Sequence, residues 1–385
     1  MSANLSLFAA ATVSRSAGIL SAARALLPLF ARGRPLDRSA VRDAMSFAFM
    51  GDDASGAWAW KDAYDAIEVA QVLHLRKIAY QVARLEDAPL ETVLALQALN
   101  HLSLTHTRRS EEQIALDQFS SPPELAALAV LAAQVREGDT VLEPSAGTGM
   151  LAVLGELAGG KLHLNELAPT RADLLDSLFP SSSRSRFDAA MLHDRVAASG
   201  SFDAVVLNPP FQQLQAHLIS AGKCVADGGR VSAIVPARFF ESPEIQRLAR
   251  LFAIRAAIVF PEAAYHKHGT SVETGLLVFD RATPEVGIPS IIASETLAQA
   301  LEAVLAIPTR LTARARIFRS AGLNSAFSPQ TGVRPSASTR LAFLKTTALV
   351  QFQPKAWAGS GAEVGLYSGY RVARMDLKPG YDHPS

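Results

Sequence analysis

The stretch from Asp139 to Met150, Asp-Thr-Val-Leu-Glu-Pro-Ser-Ala-Gly-Thr-Gly-Met, constrains the fold more than any other part of the chain. A β-branched, apolar run breaks at Pro144, the chain turns through Gly147 and Gly149, and good helix formers follow over Leu151–Leu157. Strand, glycine turn and helix in that order predict a parallel α/β sheet with a nucleotide-like ligand at its carboxyl edge. A residue without a Cβ takes positive φ and lets a ligand approach the main chain closely.

Two later stretches narrow the ligand. Lys161–Leu167 reads as a second strand bearing Glu166, at the spacing where an acidic residue meets ribose hydroxyls. Ser201–Leu207 is another apolar strand and runs directly into Asn208-Pro209-Pro210-Phe211. A dinucleotide dehydrogenase has no use for that tetrapeptide, whereas an amino-group methyltransferase does. Strand and helix patterns alternate from 139 to 260, which predicts a parallel sheet covered on both faces. The last two apolar strands, 254–260 and 271–279, are joined only by the loop Pro261–Thr270, so the final strand should be antiparallel. The expected fold is α/β, a Rossmann-like, mixed seven-stranded sheet of class I methyltransferase type, preceded by an all-helical region.

The strand ends suggest a chemistry. An adenine exocyclic amine is a poor nucleophile because its lone pair is delocalised into the ring. Asn208, through its side-chain oxygen, and Pro209, through its carbonyl, offer two close acceptors for the amine hydrogens. Neither Pro209 nor Pro210 carries a competing N–H, and Phe211 supplies a face for stacking. A base in a duplex would have to be flipped out first. On the cofactor side, Gly147 and Gly149 would admit the methionine portion, with Pro144 and Ser145 in the same turn. Glu143 would meet its ammonium group, Glu166 the ribose and Asp188 the adenine amine. Phe119, Ser121 and Pro122 are expected over the cofactor, although Ser121 also reads as a helix cap. Between the last strands, Tyr265 could wall a flipped base, while Lys267 and His268 could meet phosphate or form a charged turn. The histidines show no convincing metal-ligand arrangement.

The rest of the 385 residues sets the frame. Expected divisions are a helical N-terminal domain over 1–116, a catalytic domain over 117–282 and a C-terminal extension over 283–385. In the first, Trp58 and Trp60 read as packing anchors and nothing carries chemistry. In the last, Arg310, Arg314, Arg316, Arg319, Arg334, Arg340, Lys345 and Lys355 occur with no acidic residue between them, either a phosphate-contacting surface or a solvated linker. Leu341–Phe352 could form a strand. The single cysteine, Cys224, excludes a disulfide framework and reads as a small core residue in a reducing compartment. No stretch is apolar enough to span a bilayer, and the N-terminal segment reads as an amphipathic helix, so a cytoplasmic location is expected.

Gln118-Phe-Ser-Ser-Pro-Pro, Glu143-Pro-Ser-Ala-Gly-Thr-Gly, Asn165-Glu166-Leu167, Phe187-Asp188 and Asn208-Pro-Pro-Phe follow the order seen in gamma-class DNA adenine methyltransferases. The chain more closely resembles the methylase portion of bacterial proteins in which such a domain precedes a strawberry-notch-like helicase. That likeness extends through Asp53–Lys61, Thr105–Glu112 and Lys267–Thr274 and covers most of 20–280. The resemblance implies S-adenosylmethionine as methyl donor, DNA as substrate and partner, transfer to adenine N6, and a helicase module in a longer chain. Two departures stand out: Ala168 follows Glu166-Leu167 where many relatives have an acidic or amide residue, and no large target-recognition domain follows Phe211. The alternatives are a protein glutamine or RNA N-methyltransferase, since a side-chain amide poses the same nitrogen problem, and a catalytically silent DNA-binding scaffold for a helicase.

Overall fold

The structure, a computed structural model, describes residues 14–82, 87–105, 120–196, 200–262, 272–284 and 287–311. All of them fall within one compact unit, Met1–Ala321; a second, Gly322–Ser385, lies outside the described residues, as does the strand expected at Leu341–Phe352.

The N-terminal region is helical: α1 Arg15–Ala31, α2 Arg38–Phe49, α3 Trp60–Lys77, a single turn α4 Ala79–Val82, and α5 Pro89–His101. On α1 the buried residues Ile19, Ala22, Ala23, Leu26, Leu27 and Phe30 recur at helical spacing, which gives the expected amphipathic face. Trp58 is 1% exposed, donates through its indole to Gly51 O and packs edge-on against Trp60, so the two tryptophans are packing anchors.

The sheet follows. Helix α6 Pro123–Ala133 leads into β1 Thr140–Glu143, α7 Met150–Leu157, β2 Lys161–Asn165, α8 Pro169–Leu178 and β3 Ser183–Ser185. Then come β4 Phe202–Leu207, α9 Leu214–Cys224, β5 Val225–Pro236, α10 Pro243–Ala249, β6 Ala253–Val259, β7 Thr274–Asp280, β8 Ile292–Ala293 and α11 Leu297–Leu305. The strand order is β3-β2-β1-β4-β5-β7-β6-β8. Strands β1 to β5 pair in parallel, and β7 inserts antiparallel between β5 and β6. This is the expected Rossmann-like mixed sheet, with an eighth strand of two residues paired parallel to β6 at the edge.

Alternation along the strands builds two cores. Val141, Ala204, Val206, Ile234 and Val278 face one side with α6, α7, α8 and α11, whereas Leu142, Val205, Leu207, Val231 and Phe279 face the other with α9 and α10. The N-terminal helices join the first of these clusters through residues such as Ile19, Tyr64 and Leu75. The N-terminal helices and the sheet therefore share one hydrophobic core. In the sheet's centre, Arg230 of β5 lies opposite Asp280 of β7 and donates to both carboxylate oxygens at 2.7 and 3.0 Å. Cys224 is buried, and burial pushes its thiol up to about 12, so it is an inert core residue. No described helix is long and apolar enough to cross a membrane.

Candidate active site

A parallel strand frees its carboxyl end at the sheet edge, and here β1, β2 and β4 end side by side. Their loops open a partly enclosed cleft at the carboxyl edge of the sheet, the usual place for a ligand in such a fold. It is lined by Glu143, Pro144, Ser145, Gly147, Glu166, Leu167, Asp188 and Asn208, together with Ser121. These are nine of the residues singled out from sequence, gathered from five separate stretches.

Each is placed by a specific local interaction. Gly147 has φ 56° and Gly149 φ 94°. They serve different ends: a Cβ on Gly147 would have only Arg171 near it, at 3.8 Å, while one on Gly149 would strike the Phe179 ring at 2.5 Å. Gly147 thus leaves the cleft open, and Gly149, set back as the cap of α7, lets the helix pack on the layer below. Glu166 braces the turn, accepting from Gly147 N–H at 2.7 Å and Ala168 N–H at 2.8 Å. Each carboxylate oxygen keeps further acceptor capacity for a ligand hydroxyl. Ala168 contributes through its backbone, so its missing polar side chain does not break this bracing. Asn165 fixes the neighbouring loops, donating to Pro144 O and Phe187 O at 2.8 Å each.

Glu143 is 1% exposed, and neither carboxylate oxygen makes a hydrogen bond of good geometry among the described residues. Burial, reinforced by the Glu166 charge, raises its carboxyl well above the ordinary range, with the Ala152 N–H at the start of α7 pulling weakly the other way. Asp188 caps a short 3₁₀ turn, accepting from Ala190 N–H at 2.9 Å. Asn208, at the end of β4, donates through Nδ2 to Ser121 Oγ at 3.0 Å. This overturns one expectation: Ser121 is not a helix cap, since α6 starts after Pro122 without a side-chain cap. Its hydroxyl orients the Asn208 amide instead.

Pro209 is buried beside Asn208, and Pro210 lines the same cleft. Phe211 opens onto a second cavity, shared with Gln213, Leu214, Pro236, Arg238, Phe239 and Glu244. Phe119, Tyr265, Lys267, His268, Arg314 and Arg316 lie outside the described residues. Arg310 corrects the expectation of a phosphate contact. It is 3% exposed, pairs with Asp139 and donates to Asp203 O and Gln134 O. Those partners precede β1 and begin β4, at the opposite edge of the sheet from the cleft, so Arg310 is a structural clamp.

The sequence reading missed three contributors. Arg171 of α8 lines the cleft and donates to Asp65 of α3. Thr148 lines it too, and its hydroxyl donates to Glu68 of α3 at 2.8 Å. His217 of α9 faces it, 8% exposed, its imidazole held towards the neutral form by burial against an opposing influence from Asp188. The N-terminal helices, expected to carry no chemistry, thus reach the cleft wall. Among the described residues no group of three or more His, Cys, Asp or Glu side chains could hold a metal ion.

No family model and no curated protein matches the chain. Among solved structures it is similar to a proposed RNA methyltransferase from Pyrococcus horikoshii at 20% identity, covering 51% of this chain and 99% of that one, TM-score 0.38. It is similar to TrmN from Thermus thermophilus at 23% identity, covering 41% of this chain and 48% of that one, TM-score 0.34. A TehB-like SAM-dependent methyltransferase from Corynebacterium glutamicum is 16% identical over 44% of this chain and 92% of its own, TM-score 0.32. Likenesses this distant carry no functional argument, and the fold assignment rests on the strand order and pairing.

Proposed function

We propose that the protein is an S-adenosylmethionine-dependent methyltransferase acting on the N6 amine of adenine in DNA. The observation that carries this reading is the Asn208 amide, held by Ser121 at the end of β4 and facing the same cleft as the glycine turn. Ser121 orients the amide, and the Asn208 side-chain oxygen and the Pro209 carbonyl are the two acceptors that would meet a substrate amine.

The cleft fits the cofactor. Glu143 is a buried carboxyl at the carboxyl end of β1 whose oxygens lack a hydrogen bond of good geometry among the described residues, suited to an ammonium group. Glu166 retains acceptor capacity for ribose hydroxyls, Leu167 and Phe187 give an apolar wall, and Asp188 lies beside them for an adenine amine. The bound cofactor would supply an electrophilic methyl group on a positively charged sulfur. Asn208 and Pro209 would hold the two amine hydrogens and aim the nitrogen lone pair into the cleft. The cavity behind Phe211 is a place for a flipped base, with Phe211 as its stacking face. DNA as partner, and a helicase module in a longer chain, rest on the sequence resemblance.

The test uses isotope-labelled S-adenosylmethionine with duplex DNA, single-stranded DNA, RNA and a protein extract, followed by digestion and mass spectrometry. Labelled N6-methyladenine in DNA is the expected product. Label in glutamine or RNA instead would overturn the substrate assignment, and none anywhere, with no cofactor binding, would leave the scaffold reading.

A further inference from the structure

Helix α3 buries a row of acids. Asp62, Asp65 and Glu68 recur every third residue and are 3%, 0% and 4% exposed, a setting in which carboxylates almost never lie unpartnered. Each is answered differently. Asp62 pairs with Arg15 at 3.0 Å and accepts from Ala59 N–H, away from the cleft. Asp65 takes the Arg171 guanidinium. Glu68 accepts from the Thr148 hydroxyl at 2.8 Å and is also hydrogen-bonded by the Ser120 side chain.

Thr148 lies between the two positive-φ glycines, and Ser120 adjoins the residue that orients Asn208. Glu68 therefore ties together two cleft-forming segments that have no sequence relation to each other. The turn is gripped from both sides: Glu166 holds the Gly147 N–H, and Glu68 holds the next side chain.

We propose that Glu68 is a positioning residue for the cofactor cleft, setting the glycine turn through the Thr148 hydroxyl so that the turn receives the methionine end of S-adenosylmethionine. The inference rests on the cofactor reading above. A hydrocarbon at position 68 would fill the volume but release both segments. The groups facing the Glu68 carboxyl are Asp65 on its own helix, Arg171 of α8, Thr148 and Ser120. Burial raises the carboxyl to about 7, Arg171 opposes the rise and Asp65 adds to it. A cationic ligand nearby favours the ionised form, so cofactor affinity should rise with pH through neutrality by an increment that Glu68→Gln removes.

The experiment is calorimetric titration of the full chain with S-adenosylmethionine at about pH 6, about pH 7 and about pH 8. At neutral pH, Glu68→Ala and Thr148→Val should each weaken binding roughly ten-fold, as losses of supporting hydrogen bonds behind ligating groups do. Glu68→Gln and Thr148→Ser, which keep an acceptor and a donor, should stay within about three-fold, and the double variant should be no weaker than the worse single. If Glu68→Ala does not fold, the Thr148 pair carries the test. Wild-type binding with unchanged affinity in Thr148→Val overturns this proposal alone, and so do equal losses in Thr148→Val and Thr148→Ser. No binding by the wild type overturns the cofactor reading with it.

Discussion

Arg171 donates to one oxygen of Asp65 from both Nε and Nη2, at 3.1 and 2.7 Å, with the two side chains 5% and 0% exposed. The pair bolts α8, which follows β2, to α3 of the N-terminal helices. Removing one partner of a buried pair leaves the other charge undercompensated in a poorly polar surrounding, even though Arg171 keeps Glu68 and Glu166 nearby. Asp65→Asn and Arg171→Met are each expected to cost about 3–5 kcal/mol. Urea unfolding with an unchanged slope is the measurement, and a loss below about 1 kcal/mol would show that water reaches the site.

The Asn208 amide bears on chemistry more than on folding. Asn208→Ala should abolish methyl transfer while leaving cofactor affinity within a few-fold, because in the proposed mechanism the amide acts on the substrate amine. Full activity in that variant, measured by label incorporation, ends the proposed mechanism.

Arg310 gives a contrasting expectation. With its guanidinium tied to Asp139 and to two backbone carbonyls, Arg310→Ala should lower stability by about 3 kcal/mol or more. The salt dependence of any DNA binding should stay the same, since no phosphate contact is lost. A shallower salt slope with normal stability would return Arg310 to the surface.

Glu68 predicts a pH effect with a definite sign. Its carboxyl moves from an ordinary 4.5 to about 7 in the fold. A value raised on folding contributes stability that is fully present below the unfolded value and disappears as pH climbs through the folded one. Glu68→Gln lacks this dependence, so stability relative to wild type should shift in the variant's favour between about pH 4.5 and about pH 7. Urea unfolding across that window checks it, and a constant difference would show that Glu68 does not titrate there.

Gly149→Ala should be severe. The position needs φ 94°, and the new methyl would sit 2.5 Å from the Phe179 ring. A loss of roughly 2–4 kcal/mol is expected from strain and overpacking together, read as a lower thermal midpoint. An unaltered midpoint would mean that the ring has room to retreat.

Features written in consecutive residues were legible. The glycine turn, the acid ending β2 and Asn-Pro-Pro-Phe after β4 each combine local conformation with chemistry, and the sheet brings their ends together. In the sequence, two apolar strand patterns at 254–260 and 271–279 with only a short loop pattern between them are enough to predict the antiparallel strand. Features created by packing were not legible. The basic run starting at Arg310 gave no hint that its first member is buried against Asp139. Ser121 looked like a cap because a hydroxyl before a proline-initiated helix commonly is one, and only the fold brings Asn208 within reach. The acids of α3 belong with these: three carboxylates at three-residue spacing read as the solvated side of an amphipathic helix, and only the fold buries them.

Their burial bears on how much of the chain the cleft needs. A fragment starting at 117 would retain every described strand and the motifs from Gln118 to Phe211, yet expose the apolar backs of α6 and α7. It would also strand Arg171 without its anion and leave Thr148 without an acceptor. The helices before the sheet are the hidden rear wall of the proposed reaction chamber, and a transplant of the cleft into another chain has to carry them along.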